Sequence, residues 1–178
     1  MFNSEFNGLI DEKYAKIDLY PSALQKKIDE LNDWILPTIN SGVYKTGFAT
    51  KQEPYEKAVT ELFKSLDRVE EILKSRHAKG EHYLLGNELT EADVRLYVTI
   101  VRFDPVYHQH FKCNIGYIRH DFPHIHQWLR ELYWKNDAFK STTNFEHIKF
   151  HYTKSHPNVN PYGITPLGPI PNIFRLDL

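Results

Sequence analysis

The sequence predicts an all-α protein, an irregular helical bundle that ends in a long extended tail. Apolar residues recur at spacings of three and four along several stretches, the period of one helix face. No sustained alternation of apolar and polar residues, Asn-Gly hairpin or βαβ rhythm marks a sheet. Five of the ten prolines, Pro157, Pro161, Pro166, Pro169 and Pro171, crowd the stretch from His156 to Leu178, where they exclude helix.

Taken in order, residues 1–20 are mixed and form a leading segment. Residues 21–155 form the helical core, and 156–178 the tail. Pro21 stands where a helix can begin, because its missing N–H would have no partner in a first turn. Leu24, Ile28, Leu31 and Ile35 then mark one apolar face, and Pro37 ends or kinks that helix near Leu36. The stretch Asn40-Ser41-Gly42-Val43-Tyr44-Lys45-Thr46-Gly47-Phe48-Ala49 has two glycines and no helical period, so it reads as a loop exposing aromatic side chains. A long helix from about Gln52 to Arg76 carries a stripe of Tyr55, Val59, Leu62, Phe63, Leu66, Val69, Ile72 and Leu73. Gly80 closes the turn behind it. Thr90 and Asp93 have the spacing of a capping box, with Asp in place of Glu or Gln, and Leu89 and Val94 can close a hydrophobic staple around it. The helix that follows runs through Leu96, Ile100 and Phe103 and stops near Pro105. A fourth helix spans about Phe122 to Tyr133 with Ile125, Trp128, Leu129 and Leu132 inward, and a fifth covers Phe145 to Tyr152.

Composition narrows the function classes. Hydrophobic residues at 41% and charged residues at 25% read as an ordinary soluble globular domain. A net charge of −1 with no basic run gives no footprint for nucleic acid. No apolar run approaches the roughly 20 residues that span a bilayer, so no membrane partner is expected. The first residues have neither a basic nor an apolar region of a secretory signal. Cys113 is the only cysteine, which suits a reducing compartment, and the cytoplasm is the expected location.

Several stretches together carry a resemblance. They are the capping box within Leu85-Gly86-Asn87-Glu88-Leu89-Thr90-Glu91-Ala92-Asp93, the stretch Asn40 to Ala49, and Val101-Arg102-Phe103-Asp104-Pro105-Val106-Tyr107. His110-Phe111-Lys112-Cys113-Asn114, His151-Tyr152-Thr153-Lys154-Ser155-His156, Asn160-Pro161 and Pro166-Leu167-Gly168-Pro169 complete the set. From about Phe6 to Pro169 the chain resembles the C-terminal helical domain of xi-class, omega-like glutathione transferases, the glutathionyl-hydroquinone reductases. Tyr162 departs from the pattern, which has a smaller residue after Asn-Pro.

The resemblance implies a glutathione-transferase C-terminal-type bundle that serves as a substrate-binding and dimerisation domain. In the family, a thioredoxin-like N-terminal domain supplies a cysteine thiolate and binds glutathione as cosubstrate. Nothing here matches that domain, so it is expected to be absent from this chain, with Met1 starting in or just after its last helix. The thiolate attacks the glutathione sulfur of a glutathionyl-hydroquinone, and a second glutathione resolves the mixed disulfide. By resemblance, Tyr44 and Tyr152 are auxiliary hydrogen-bond donors, and Tyr44, Phe48 and Tyr152 bind the aromatic, quinone-like glutathione conjugate. A phenol with a pKa of about 10 stays protonated at neutral pH and donates, while its ring can stack on the quinone. The bland alternative makes both tyrosines packing residues. Thr90 and Asp93 are structural.

Other chemistry-bearing residues have plainer readings. Cys113 lies beside Lys112, which would lower its pKa. It lacks a CxxC or Cys-Pro setting, however, and reads as a small buried side chain. His147 and His151 have the spacing of two zinc ligands on a helix without the Glu of H-E-x-x-H, and the pairs His108/His110 and His124/His126 lack nearby acidic ligands, so no metal is expected. Arg102 and Asp104 form a possible structural ion pair. Two functions follow. In one, the chain is the aromatic-binding half of a glutathione-dependent thiol transferase, is inactive alone, and forms a homodimer. In the other, it is a non-catalytic helical binding or scaffold domain. An apolar face on the first helices, normally covered by the other domain, predicts self-association.

Overall fold

Two prolines that would stop a regular helix are absorbed here by wide turns. The computed structural model describes residues 3–177; Met1, Phe2 and Leu178, at the ends of the leading segment and tail, lie outside the described residues. After a 3-10 turn at Asn7–Leu9 come α1 (Glu12–Ala15) and α2 (Gln25–Ile35). A π turn at Leu36–Asn40 leads into α3 (Gly42–Gly47) and then α4 (Gln52–His77). Helix α5 (Glu91–Arg102) runs through a second π turn, Phe103–Tyr107, into α6 (His108–His110). The short α7 (Ile118–Asp121), α8 (Pro123–Lys135), α9 (Asp137–Thr142) and α10 (Phe145–Ser155) complete the described helices. Among the described residues there is no strand, only an isolated bridge between Tyr83 and Gly86.

In each π turn a backbone N–H reaches the carbonyl five residues back: Ser41 to Leu36 at 2.8 Å, and His108 to Phe103. The extra residue gives the proline ring room and removes the need for its missing N–H, so the chain stays helical. The expected stop at Pro105 is therefore corrected. Likewise, the stretch expected to be a loop at 40–49 is largely helical. There the Thr46 hydroxyl donates to the Gly42 carbonyl at 2.9 Å, and an added Cβ on Gly42 would stand 3.6 Å from Leu62 of α4. Close packing of α3 on α4 overrides the weak helix preference of two glycines. Its aromatic side chains are nonetheless exposed, Tyr44 by 38% and Phe48 by 48%.

The core gathers on α2, α4, α5 and α8. Ile28 and Ile35 meet Leu62, Leu66, Leu73, Leu96 and Trp128 in one continuous cluster of fully buried side chains. The capping box at the start of α5 is present with both arms. Asp93 does more than cap: it accepts from the N–H groups of Thr90 (3.1 Å) and Leu84 (3.0 Å), the Thr90 hydroxyl (2.9 Å) and the Trp128 indole (3.1 Å). Burial raises its pKa while these donors pull it back. One carboxylate thus ties the turn before α5 to α8.

The expected Arg102–Asp104 pair is not formed. Asp104 instead accepts from the Arg119 guanidinium at 2.8 Å and from the Ile118 N–H at 2.9 Å, while Arg102 donates to the Val98 carbonyl one turn back. Position 104 lies in the second π turn, which rotates its carboxylate inward toward α7 and away from Arg102. Arg119 also holds the tail, donating to the carbonyls of Pro171 and Asn172, and Lys149 donates to those of Leu167 and Gly168. Tyr162 is 88% exposed on the tail. Leu9, Ile10, Tyr14 and Ile17 of the leading segment also present apolar surface to solvent.

Candidate functional site

The two π turns place aromatic residues from distant parts of the chain on one another. Tyr44 comes from α3, Tyr107 from the end of the second π turn, Phe111 from just beyond α6, and Tyr152 from α10. The hydroxyls of Tyr44 and Tyr152 lie 2.6 Å apart, and those of Tyr152 and Tyr107 2.7 Å apart. Tyr107 and Phe111 stack with centroids 5.6 Å apart and planes 5° apart. Tyr152 stands edge-on to both, at 5.3 and 5.8 Å. Phe48 lies 6.2 Å from the Tyr44 ring and meets Phe111 edge-on at 5.1 Å.

The cluster is graded from core to surface. Tyr107 is 2% exposed and Tyr152 5%, whereas Tyr44 and Phe48 open to solvent. Burial pushes the Tyr152 phenol up to about 12 and raises that of Tyr107 as well. Both are protonated at neutral pH and are hydrogen-bond donors. The Tyr44 hydroxyl and the adjoining Phe48 ring make a surface that can stack an aromatic ring and donate to an oxygen on it, with Tyr152 and Tyr107 behind it.

Histidines form the rim. His110 Nε2 lies 3.1 Å from His156 Nδ1, and His156 packs edge-on against Phe48 at 5.1 Å. Burial, with help from His156 and Lys112, pulls His110 down to about 4, so the ring is neutral. Elsewhere His77 and His124 approach through their Nδ1 atoms at 3.0 Å, and His108 stacks on Tyr117 at 3.5 Å. No group of three or more His, Cys, Asp or Glu among the described residues is arranged to hold a metal ion.

Burial lowers His77, His108, His110, His126 and His156, with His126 at about 4. The unfolded chain binds protons on these rings near pH 6.5, and the folded chain only at lower pH. The stability they lend is full above about pH 6.5 and is lost as pH falls toward 4. Asp93, with a raised pKa, acts in the opposite sense, so the clean reading is a difference between variants. The urea midpoint should fall less between pH 7 and 5 in His126→Gln than in the parent chain. An identical pH slope would contradict this.

Cys113 is fully buried, with Sγ 3.9 Å from the carbonyls of Val43 and Phe111, and burial pushes its thiol far up. Such a thiol carries almost no thiolate and has no path to a substrate.

Of the site residues expected from the sequence, Tyr44, Phe48 and Tyr152 come together. Tyr107, Phe111, His110 and His156 lie in the quoted motifs, which by themselves show no role for them. Ending the third helix at Pro105 hid their signal: once the helix continues, Tyr107 and Phe111 are four apart and share a face.

Residues 52–131 match the family described as glutathione S-transferase, C-terminal domain. The glutathione S-transferase omega-like 2 of Schizosaccharomyces pombe is 64% identical over 174 residues, covering 97% of this chain and 55% of the relative. The glutathionyl-hydroquinone reductase YqjG of Escherichia coli is 52% identical over 171 residues, covering 95% and 48%. A glutathione-bound structure of YqjG superposes with a TM-score of 0.85 at 50% identity, over 95% of this chain and 52% of that one. The crystal structure of the xi glutathione transferase from Phanerochaete chrysosporium gives a TM-score of 0.93 at 59% identity, over 99% and 55%. The chain spans about half the length of the curated relatives it matches. Its helical domain is a glutathione S-transferase C-terminal domain, and the relatives it groups with are the xi-class, omega-like glutathione transferases.

Proposed function

We propose that this chain is the substrate-binding half of a glutathione-dependent thiol transferase that reduces glutathionyl-hydroquinones. The observation that supports the reading most is the 2.6 Å contact between the Tyr44 and Tyr152 hydroxyls beside the exposed Phe48 ring. The quinone-like ring of the conjugate lies against Tyr44 and Phe48, and the Tyr44 hydroxyl, backed by Tyr152, donates to a ring oxygen. A thiolate from a thioredoxin-like half attacks the glutathione sulfur. The C–S bond to the ring breaks, its electron pair stays with the ring carbon and takes up a proton, and the hydroquinone leaves. Glutathione then attacks the mixed disulfide, returning the thiol and releasing glutathione disulfide. Hydrogen bonds to the ring oxygen hold the leaving group and offset charge that builds on it.

The apolar leading segment, with Leu9, Ile10, Tyr14 and Ile17 exposed, is the surface the other half would cover, and a second copy of the chain would complete a dimer. The lone buried thiol suits a reducing compartment, and we place the protein in the cytoplasm.

Calorimetric titration of a glutathionyl-hydroquinone into the chain tests the reading. Tyr44→Phe and Phe48→Ala should each weaken binding by about five- to tenfold, the worth of one hydrogen bond or one stacked ring. Binding unchanged in both variants would place the aromatic ligand elsewhere.

A further inference from the structure

The direction of the hydrogen bonds among the three tyrosines can be worked out by counting donors and acceptors. Each phenol has one proton. The Tyr107 hydroxyl is buried, and among the described residues its hydrogen-bond partners are other tyrosine hydroxyls, with Tyr152 at 2.7 Å. If Tyr107 only accepted, its own proton would be buried without a partner, which costs about 1–3 kcal/mol. Tyr107 therefore donates, and its short bond, at 2.7 Å, is the one to Tyr152. Tyr152 is itself 5% exposed and spends its proton on Tyr44 at 2.6 Å. Tyr44, at 38% exposure, keeps a proton that these two short bonds leave unused.

Resting on the aromatic-ligand reading above, we infer that Tyr107 is a positioning residue that sets a one-way relay, Tyr107 to Tyr152 to Tyr44. The relay turns the Tyr44 proton outward to the ligand oxygen. Tyr152 then meets the ligand only through Tyr44. The stacked Phe111 and the edge-on rings fix the three oxygens, and each bond in such a chain strengthens the next. Without the Tyr107 hydroxyl, Tyr152 becomes free to accept from Tyr44, and the outward proton is shared with the interior.

The test uses the intact chain at mildly alkaline pH with two probes that share a nitrophenyl ring, para-nitrophenolate and para-nitroanisole. The first accepts a strong hydrogen bond at its ring oxygen and the second only a weak one. The parent chain should prefer the phenolate, and Tyr44→Phe should abolish that preference. Tyr107→Phe should reduce it about fivefold, the worth of one ordinary hydrogen bond, while nitroanisole affinity stays put and reports an intact fold. Adding Tyr107→Phe to Tyr152→Phe should cost nothing further, because the relay is already cut. Additive losses, or a full preference in Tyr107→Phe, would overturn the relay and leave the aromatic site standing. If neither probe binds, or Tyr44→Phe keeps the preference, the site reading itself fails and the relay falls with it. Should Tyr107→Phe lose nitroanisole too, a fluorinated tyrosine at position 107, a stronger donor, should raise the preference. No rise would overturn the inference.

Discussion

Replacing Asp93 with alanine is expected to lower the stability of the chain by about 4 kcal/mol, read as a large drop in the urea midpoint. The carboxylate accepts four hydrogen bonds in the core: from two backbone N–H groups, one hydroxyl and the indole of Trp128. Alanine leaves those donors buried without partners, and each one stranded costs about 1–3 kcal/mol, though not additively. It also removes the cap of α5, worth about 1 kcal/mol. Asp93→Asn should fall between. Its oxygen can still accept from Leu84 and Trp128, but its amide turns a donor toward the Thr90 N–H. A loss below about 1 kcal/mol for Asp93→Ala would mean that the four bonds are not what joins α5 to α8.

The second large effect is expected at Gly47, the last residue of α3. In an exposed helix, glycine to alanine normally stabilises by about 1 kcal/mol. Here an added Cβ would stand 2.1 Å from Cδ1, 2.2 Å from Cγ and 2.6 Å from Cβ of Phe111. Phe111 is fully buried and stacked on Tyr107, so it has no open space to enter. Gly47→Ala should therefore cost about 3 kcal/mol, the upper range for overpacking a core. Because the displaced ring props Tyr107 and Tyr44, near-ultraviolet circular dichroism from the aromatic cluster should weaken along with the thermal midpoint. A variant as stable as the parent would show that α3 and Phe111 can separate freely, and the aromatic cluster would then be poorly fixed.

Much of this was legible in the sequence, and the failures have identifiable causes. The stripe from Val59 to Leu73 and the inward face of Ile125, Trp128, Leu129 and Leu132 are long enough for periodicity to decide, and α4 and α8 lie there. Thr90 and Asp93 announced their cap through local spacing alone. At Pro37 the expectation holds, since α2 ends at Ile35 and a π turn follows; at Pro105 the rule that proline ends a helix fails, because the chain widens the hydrogen-bond ladder and stays helical. As loop signals Gly42 and Gly47 mislead: both lie in helical α3, and Gly47 marks a close approach to Phe111. Such close approach is a tertiary fact with no local signature. The Tyr44–Tyr152 pairing was anticipated only through family resemblance, since nothing in either segment points to the other. Tyr107 lay within a recognised motif and was still missed, because its partner hydroxyl is 45 residues away.

The central claim is that these helices shape and hydrogen-bond an aromatic substrate while the attacking sulfur comes from elsewhere. Thiol transfer from a glutathionyl-hydroquinone to glutathione, followed with this chain beside its Cys113→Ser variant, tests it most directly. The account predicts hydroquinone release at the uncatalysed rate in both. Turnover by the parent chain that disappears in Cys113→Ser would contradict it and make the buried thiol the nucleophile.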